Sequence, residues 1–160
     1  METETRRIPT ADSYPLRQAV LRPHQKVSEM RWEHDDDPET ATFAVLEGGG
    51  GDILTVATVQ PEPEPPALAE SLGGDARCSW RLRGMATRPA LQGRGYGSQV
   101  LTAAVEHVRA HGGTLLWCNA RVRAVPFYER AGFATFGESW ELPDIGPHVV
   151  MWLRVEGGTP

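Results

Sequence analysis

The chain has 160 residues, enough to bury a core without disulfide or metal staples. Its 21 acidic residues outnumber 16 basic ones for a formal charge of −5, and no basic stripe is interleaved with aromatics, which argues against a nucleic-acid binder. With 40% hydrophobic residues, no run of 18 apolar ones and an acidic start (Met1-Glu2-Thr3-Glu4), the chain is expected to be a cytoplasmic globular protein with no membrane partner.

In chain order, residues 1–12 are polar and expected to be loosely ordered, with a short edge strand at Arg6 to Pro9. Asp12 or Ser13 can cap a helix running to Leu21, with Pro15 in its first turn and Leu16, Ala19 and Val20 facing the core. His24 to Met30 reads as a short helix or a loop. The run Glu33-His34-Asp35-Asp36-Asp37-Pro38-Glu39 reads as an exposed, solvated turn. Thr42 to Leu46 and Ile53 to Val59 are strand-like, joined by a glycine-rich hairpin loop from Glu47 to Asp52. Residues 60–75 hold four prolines and two glycines and read as a surface loop, since the flanking strands need each other.

A fourth strand, Ala76 to Thr87, ends at Arg88-Pro89. Gln92-Gly93-Arg94-Gly95-Tyr96-Gly97-Ser98 follows, then a long helix from about Gly95 to His111 with Val100, Leu101, Ala104, Val105 and Val108 at helical period. Gly112-Gly113 stops that helix. A fifth strand (Thr114 to Cys118), a short helix (Arg123 to Arg130) and a closing antiparallel pair (Phe133 to Leu142, Val149 to Val155) complete the chain, with 156–160 as a loose tail. This order predicts one domain over 1–160 with an α/β, mixed sheet, parallel between strands four and five and antiparallel at both ends. Cys78 and Cys118 read as buried free thiols, and nothing has metal-ligand spacing.

Three glycines in five residues at a helix start leave the main chain bare, and the helix N–H groups and dipole favour an anion such as a phosphate or pyrophosphate. A P-loop would need Gly-Lys-Ser/Thr, but Lys26 is the only lysine. A dinucleotide fingerprint would need Gly or Ala where Ser98 stands, and an acid where Asn119 closes the next strand. Coenzyme A remains.

Gln92 to Gly97 fits Gln/Arg-x-x-Gly-x-Gly/Ala and resembles motif A of the GNAT superfamily of acyl-CoA-dependent N-acyltransferases. Asn119 followed by Phe127-Tyr128-Glu129-Arg130-Ala131-Gly132-Phe133 is similar to that superfamily's motif B, and together the motifs cover roughly residues 80 to 136. The resemblance implies the GNAT fold, a central mixed sheet of six to seven strands flanked by about four helices, and an N-acetyltransferase acting on a small-molecule or peptide amine with acetyl-CoA as co-substrate. It also implies site residues. Met85, Ala86 and Thr87 would hold the thioester and pantetheine through main-chain N–H groups; Gln92, Gly93, Arg94, Gly95, Tyr96, Gly97 and Ser98 would cradle the pyrophosphate. Asn119 would bond the pantetheine arm or position the helix, Phe127 and Arg130 would contact the CoA arm or its 3′-phosphate side, and Tyr128 would be the general acid.

Similar enzymes often carry a glutamate on strand four. Here that strand reads Ser79-Trp80-Arg81-Leu82-Arg83-Gly84, leaving Glu29, Glu33, Glu138 and above all His148 as candidate bases. Leu16-Arg17-x-x-Val20-Leu21-Arg22, the Asp35–Asp37 run and Gly146-Pro147-His148-x-x-Met151 resemble the ElaA-type branch, although one residue is missing between Gly146 and Pro147 relative to that branch. No Cys or Ser sits in an activating arrangement, so direct transfer in a ternary complex is expected. The alternative is a non-catalytic acyl-CoA-binding sensor or regulatory module. Exposed end strands leave room for a homodimer.

Overall fold

The computed structural model describes residues 2–74 and 77–156. Seven strands form one sheet: β1 (Thr3–Ile8), β2 (Ala41–Glu47), β3 (Ile53–Pro61), β4 (Ser79–Thr87), β5 (Leu115–Arg121), β6 (Ala134–Leu142) and β7 (Gly146–Arg154), in the order β1-β2-β3-β4-β5-β7-β6. Four α-helices accompany it: α1 (Tyr14–Leu21), α2 (Pro66–Ser71), α3 (Tyr96–Ala110) and α4 (Val125–Arg130). The expected mixed topology is present. β4 and β5 run parallel, with Ser79 to Arg81 against Leu115 to Trp117. The other described pairings are antiparallel. A parallel pair requires a crossover, and α3 supplies it.

The chain divides into two compact units, Met1–Gln60 with Arg83–Glu106, and Pro61–Leu82 with His107–Pro160. In the first, Ile8, Ala44, Leu46, Val56 and Ala86 form a buried cluster, with Leu16, Val20, Leu21 and Ile53 against it. Alternation along β4 explains the contribution from that strand: Trp80, Leu82 and Ala86 are buried while Arg81, Arg83, Met85 and Thr87 stay half-exposed. In the second, β5 is central and offers Leu115, Leu116, Trp117, Cys118 and Ala120 as buried residues, a near-continuous apolar run.

Several expectations are corrected. Residues 1–12 are not loose: β1 pairs residue for residue with β2, Thr3 against Glu47 to Ile8 against Thr42, and Thr10–Ser13 form a 3₁₀ turn. Only Ile8 of β1 is buried, so a hydrophobic count overlooks the strand; main-chain hydrogen bonds to β2 hold it. The 60–75 loop contains α2, anchored by the fully buried Leu68. Asn119 is the fifth residue of β5 and not its end. Cys78 is exposed, whereas Cys118 is buried. In α1, Ala19 faces solvent and Arg17 is the wholly buried residue. The tail expected at 156–160 lies almost entirely outside the described residues.

Candidate active site

In the first unit the site is built around the end of β4. The Thr87 hydroxyl hydrogen-bonds that of Thr55, the Thr55 hydroxyl also donates to the Ala86 carbonyl at 3.1 Å, and the Arg88 N–H donates to Leu54 O at 3.0 Å. These bonds fasten Met85, Ala86 and Thr87 to β3. Upstream, Gly84 interrupts the extended strand with φ +63°. A Cβ there would lie 2.7 Å from Arg17 Nε, so glycine is required both by the left-handed backbone and by the guanidinium beside it.

Arg17 is the organising cation of this unit. Its Nη1 donates to Asp35 Oδ2 at 2.6 Å and to Met30 O at 2.9 Å; its Nη2 donates to Asp35 Oδ1 at 3.2 Å and Thr58 Oγ1 at 3.0 Å. Asp35 also accepts from the Tyr14 hydroxyl and the Trp32 N–H. Asp35 is therefore buried and not part of a solvated turn, as its run of charges suggested. A buried cation needs such a partner, since desolvation would otherwise outweigh folding. The Trp32 ring lies 4.2 Å from the Arg17 guanidinium. Burial, and then the charge of Asp35, push the Tyr14 phenol above its usual range.

The Gly84→Ala variant is expected to lose about 2–4 kcal/mol, the sum of left-handed strain and forced displacement of Arg17. Urea unfolding checks this. An unchanged midpoint would show that Arg17 moves aside freely.

After β4 the glycine loop turns into α3. Gly93 (φ +80°) and Gly95 (φ +86°) adopt a left-handed backbone, and a Cβ added to either would meet nothing within 4 Å. The Gly95 carbonyl accepts the first helical bond, from Gln99 N at 3.1 Å, so the N–H groups of Tyr96, Gly97 and Ser98 have no acceptor inside the helix. Gln92 Nε2 donates to Thr87 O at 3.4 Å, and Gln92 and Arg94 are exposed. Bare main chain facing open space at a helix start fits the pyrophosphate of CoA.

The second unit holds Asn119, Phe127, Tyr128, Arg130 and His148. Tyr128 is buried on α4, edge-on to Phe127 (5.2 Å) and Phe133 (5.3 Å). Burial, with a smaller contribution from Cys118, pushes its phenol well above 10. Burial likewise raises the Cys118 thiol to about 12, so this sulfur is not a nucleophile at neutral pH. Phe127 is half-buried, and Asn119 and Arg130 are exposed.

His148 is buried on β7, opposite Arg121 on β5 and beside the Trp140 ring at 6.0 Å. Its Nδ1 is 2.9 Å from Gly146 O, and a carbonyl only accepts, so Nδ1 carries the hydrogen. The neutral ring then presents Nε2 as an acceptor. Pleat alternation puts Asn119, Arg121, Val150 and His148 on one face of the β5–β7 pair and Cys118 on the other. The remaining candidate bases, Glu29, Glu33 and Glu138, are all exposed.

Arg17, Trp32, Asp35 and Gly84 were not singled out by sequence reasoning. Gly84 inside a strand pattern was the available signal, because such a glycine marks a bulge or a close approach. Nothing in the pattern around Arg17 distinguishes it from a surface arginine.

Among the described residues, no group of three or more His, Cys, Asp or Glu could hold a metal ion, and no helix is long and apolar enough to cross a membrane. The sequence profile of the acetyltransferase (GNAT) family matches residues 7–133. The uncharacterized N-acetyltransferase YitI of Bacillus subtilis (strain 168) is 29% identical over 149 residues, covering 93% of this chain and 94% of the relative. Among solved structures, the NatC complex bound to Gag peptide and CoA matches with a TM-score of 0.75 at 15% identity, over 98% of this chain and 100% of that one. Escherichia coli ElaA matches with a TM-score of 0.71 at 15% identity, over 94% and 99% of the two chains. The expected fold is therefore present, and the chain belongs to the acetyltransferase (GNAT) family, whose members transfer an acetyl group from acetyl-CoA to an amine.

Proposed function

We propose that the protein is an N-acetyltransferase that moves the acetyl group of acetyl-CoA directly to a primary amine in a ternary complex, in the cytoplasm. The observation that carries this reading is the pairing of the bare loop Gly93 to Gly97 with the fastened strand end Met85 to Thr87 in one compact unit. Acetyl-CoA, when bound, supplies an activated thioester. The N–H groups of Tyr96, Gly97 and Ser98 would hold its pyrophosphate, with Arg94 adding charge. Main-chain N–H groups of Met85 to Thr87 would bind the acetyl oxygen and stabilise the charge that grows there.

As the amine nitrogen bonds to the acetyl carbon, the carbon–sulfur bond breaks; the nitrogen gives up one proton and the sulfur acquires one. Tyr128, held neutral by burial, is the proton donor to sulfur. His148, with Nε2 as acceptor, is the proposed base for the amine. Asn119, Phe127 and Arg130 would line the pantetheine and 3′-phosphate side. Direct transfer is supported by the unreactive Cys118.

The test is incubation with acetyl-CoA and a panel of primary amines, following free thiol and amine mass together. Thiol release matched one to one by acetylated amine is expected. Binding of acetyl-CoA with no thiol release on any amine would favour a sensor or regulatory module.

A further inference from the structure

The half-exposed side of the acceptor strand carries a cationic cluster that the reaction chemistry does not use. Three guanidiniums converge on the single indole of Trp32: Arg17 at 4.2 Å, Arg83 at 4.5 Å and Arg22 at 5.5 Å from its centroid. Arg17 is neutralised by its bidentate bond to Asp35. The Asp35 carboxylate is fully engaged by Arg17, Tyr14 and the Trp32 N–H.

The other acids of the 33–37 run have their own partners. Asp36 lies 3.5 Å from Arg31, while Glu33 and Asp37 lie 3.7 and 2.7 Å from His34. Arg22 makes a hydrogen bond to the neighbouring Leu21 carbonyl at 2.9 Å, and among the described residues it has no carboxylate partner. It is nonetheless half-buried, and its burial lowers its pKa. Arg83 belongs to β4, two residues before Met85 and in the same half-exposed row, which places it roughly 6–7 Å along the strand from the proposed thioester position. A chain of net charge −5 thus concentrates positive charge beside that strand.

We propose that Arg22 and Arg83, flanking Trp32, form a binding site for an anionic group, a carboxylate or phosphate, carried by the acceptor amine. The proposal rests on the acetyltransferase reading above and specifies the acceptor of that same site: a small primary amine with a negative charge a few bonds from its nitrogen. The geometry suits guanidinium recognition, since planar forks bind carboxylate or phosphate bidentately and the indole keeps their orientation fixed. The exposed acids of the 33–37 run are each committed to a cation, so they do not set the acceptor's charge.

The test has two arms on the intact protein. In the first, thermal unfolding is followed with acetyl-CoA alone; a lack of shift overturns the acetyltransferase reading itself. In the second, two matched pairs are compared, glycine with glycinamide and phosphoethanolamine with ethanolamine. Stabilisation is measured with and without CoA, and kcat and KM are measured with acetyl-CoA.

The expected result is preference for one anionic member over its neutral match by at least about tenfold in kcat/KM, which is about 1.4 kcal/mol. Which pair discriminates identifies carboxylate or phosphate. Arg83→Gln and, separately, Arg22→Gln should raise KM and shrink that preference, with kcat and acetyl-CoA stabilisation kept; Arg83→Lys should restore part of it. Equal or better stabilisation and turnover with the neutral members, or a preference unchanged in both variants, would overturn the proposal while leaving acetyl transfer intact.

Discussion

Replacing Tyr128 by Phe is expected to lower kcat by roughly 100- to 10,000-fold, the range that a positioned proton donor supplies, with acetyl-CoA stabilisation kept. The substitution removes one oxygen and preserves the ring that packs edge-on against Phe127 and Phe133, so the α4 core survives. Because burial holds the phenol protonated through the neutral range, its donor capacity does not titrate there. The rate of the native protein should therefore show no basic limb from Tyr128 at or below its ordinary pKa of 10. Steady-state kinetics from pH 6 to 10 check both statements. A variant with full kcat would remove Tyr128 from the chemistry.

The second large effect concerns the Arg17–Asp35 pair. Arg17→Met leaves a carboxylate that is only 6% exposed without its cation, and Asp35→Leu leaves a guanidinium of 0% exposure without its anion. Each is expected to cost about 3–5 kcal/mol, whereas the double variant should cost much less than the two together. For a chain of this length each single loss corresponds to roughly 10 °C in Tm. The bonds to Met30 O and Thr58 Oγ1, and the contact with Gly84, tie α1 and residues 22–40 to β3 and β4, so loosening the pair disturbs the strand that carries the proposed site. Urea and thermal unfolding of the cycle measure the coupling. Additive losses below about 1 kcal/mol each would show that the pair is no more than a surface-type bridge.

What the sequence disclosed followed from periodicity. Val100, Leu101, Ala104 and Val108 repeat at helical spacing, and all four are buried in α3; the β4–α3–β5 order could be read because strand, glycine turn and helix have distinct signatures. β1 was nearly invisible because its stability comes from main-chain pairing with β2 and only one buried side chain. Leu16 and Val20 pack on the core as their spacing suggests, yet the deepest residue of the same helix is Arg17. No single-sequence pattern reveals that, since a buried arginine is allowed only by a partner eighteen positions away, across a turn that reads as solvated. The same limitation hid Trp32, whose ring acquires meaning only when α1, the 22–40 segment and β4 come together. At the candidate site, the glycine loop was legible because its chemistry is local. The bulge at Gly84 was written in the sequence as one glycine within a strand, but its purpose depended on Arg17.

The most direct test of the central claim is thermal unfolding with saturating acetyl-CoA. At a hundredfold excess over Kd, binding to the folded state adds about 2.7 kcal/mol, which is roughly 5–10 °C for a chain of 160 residues. The account predicts a shift of that size with acetyl-CoA, absent with NAD or ATP. No shift with acetyl-CoA would make the Gly93 to Gly97 loop a structural turn, and the proposed acetyl transfer would fall with it.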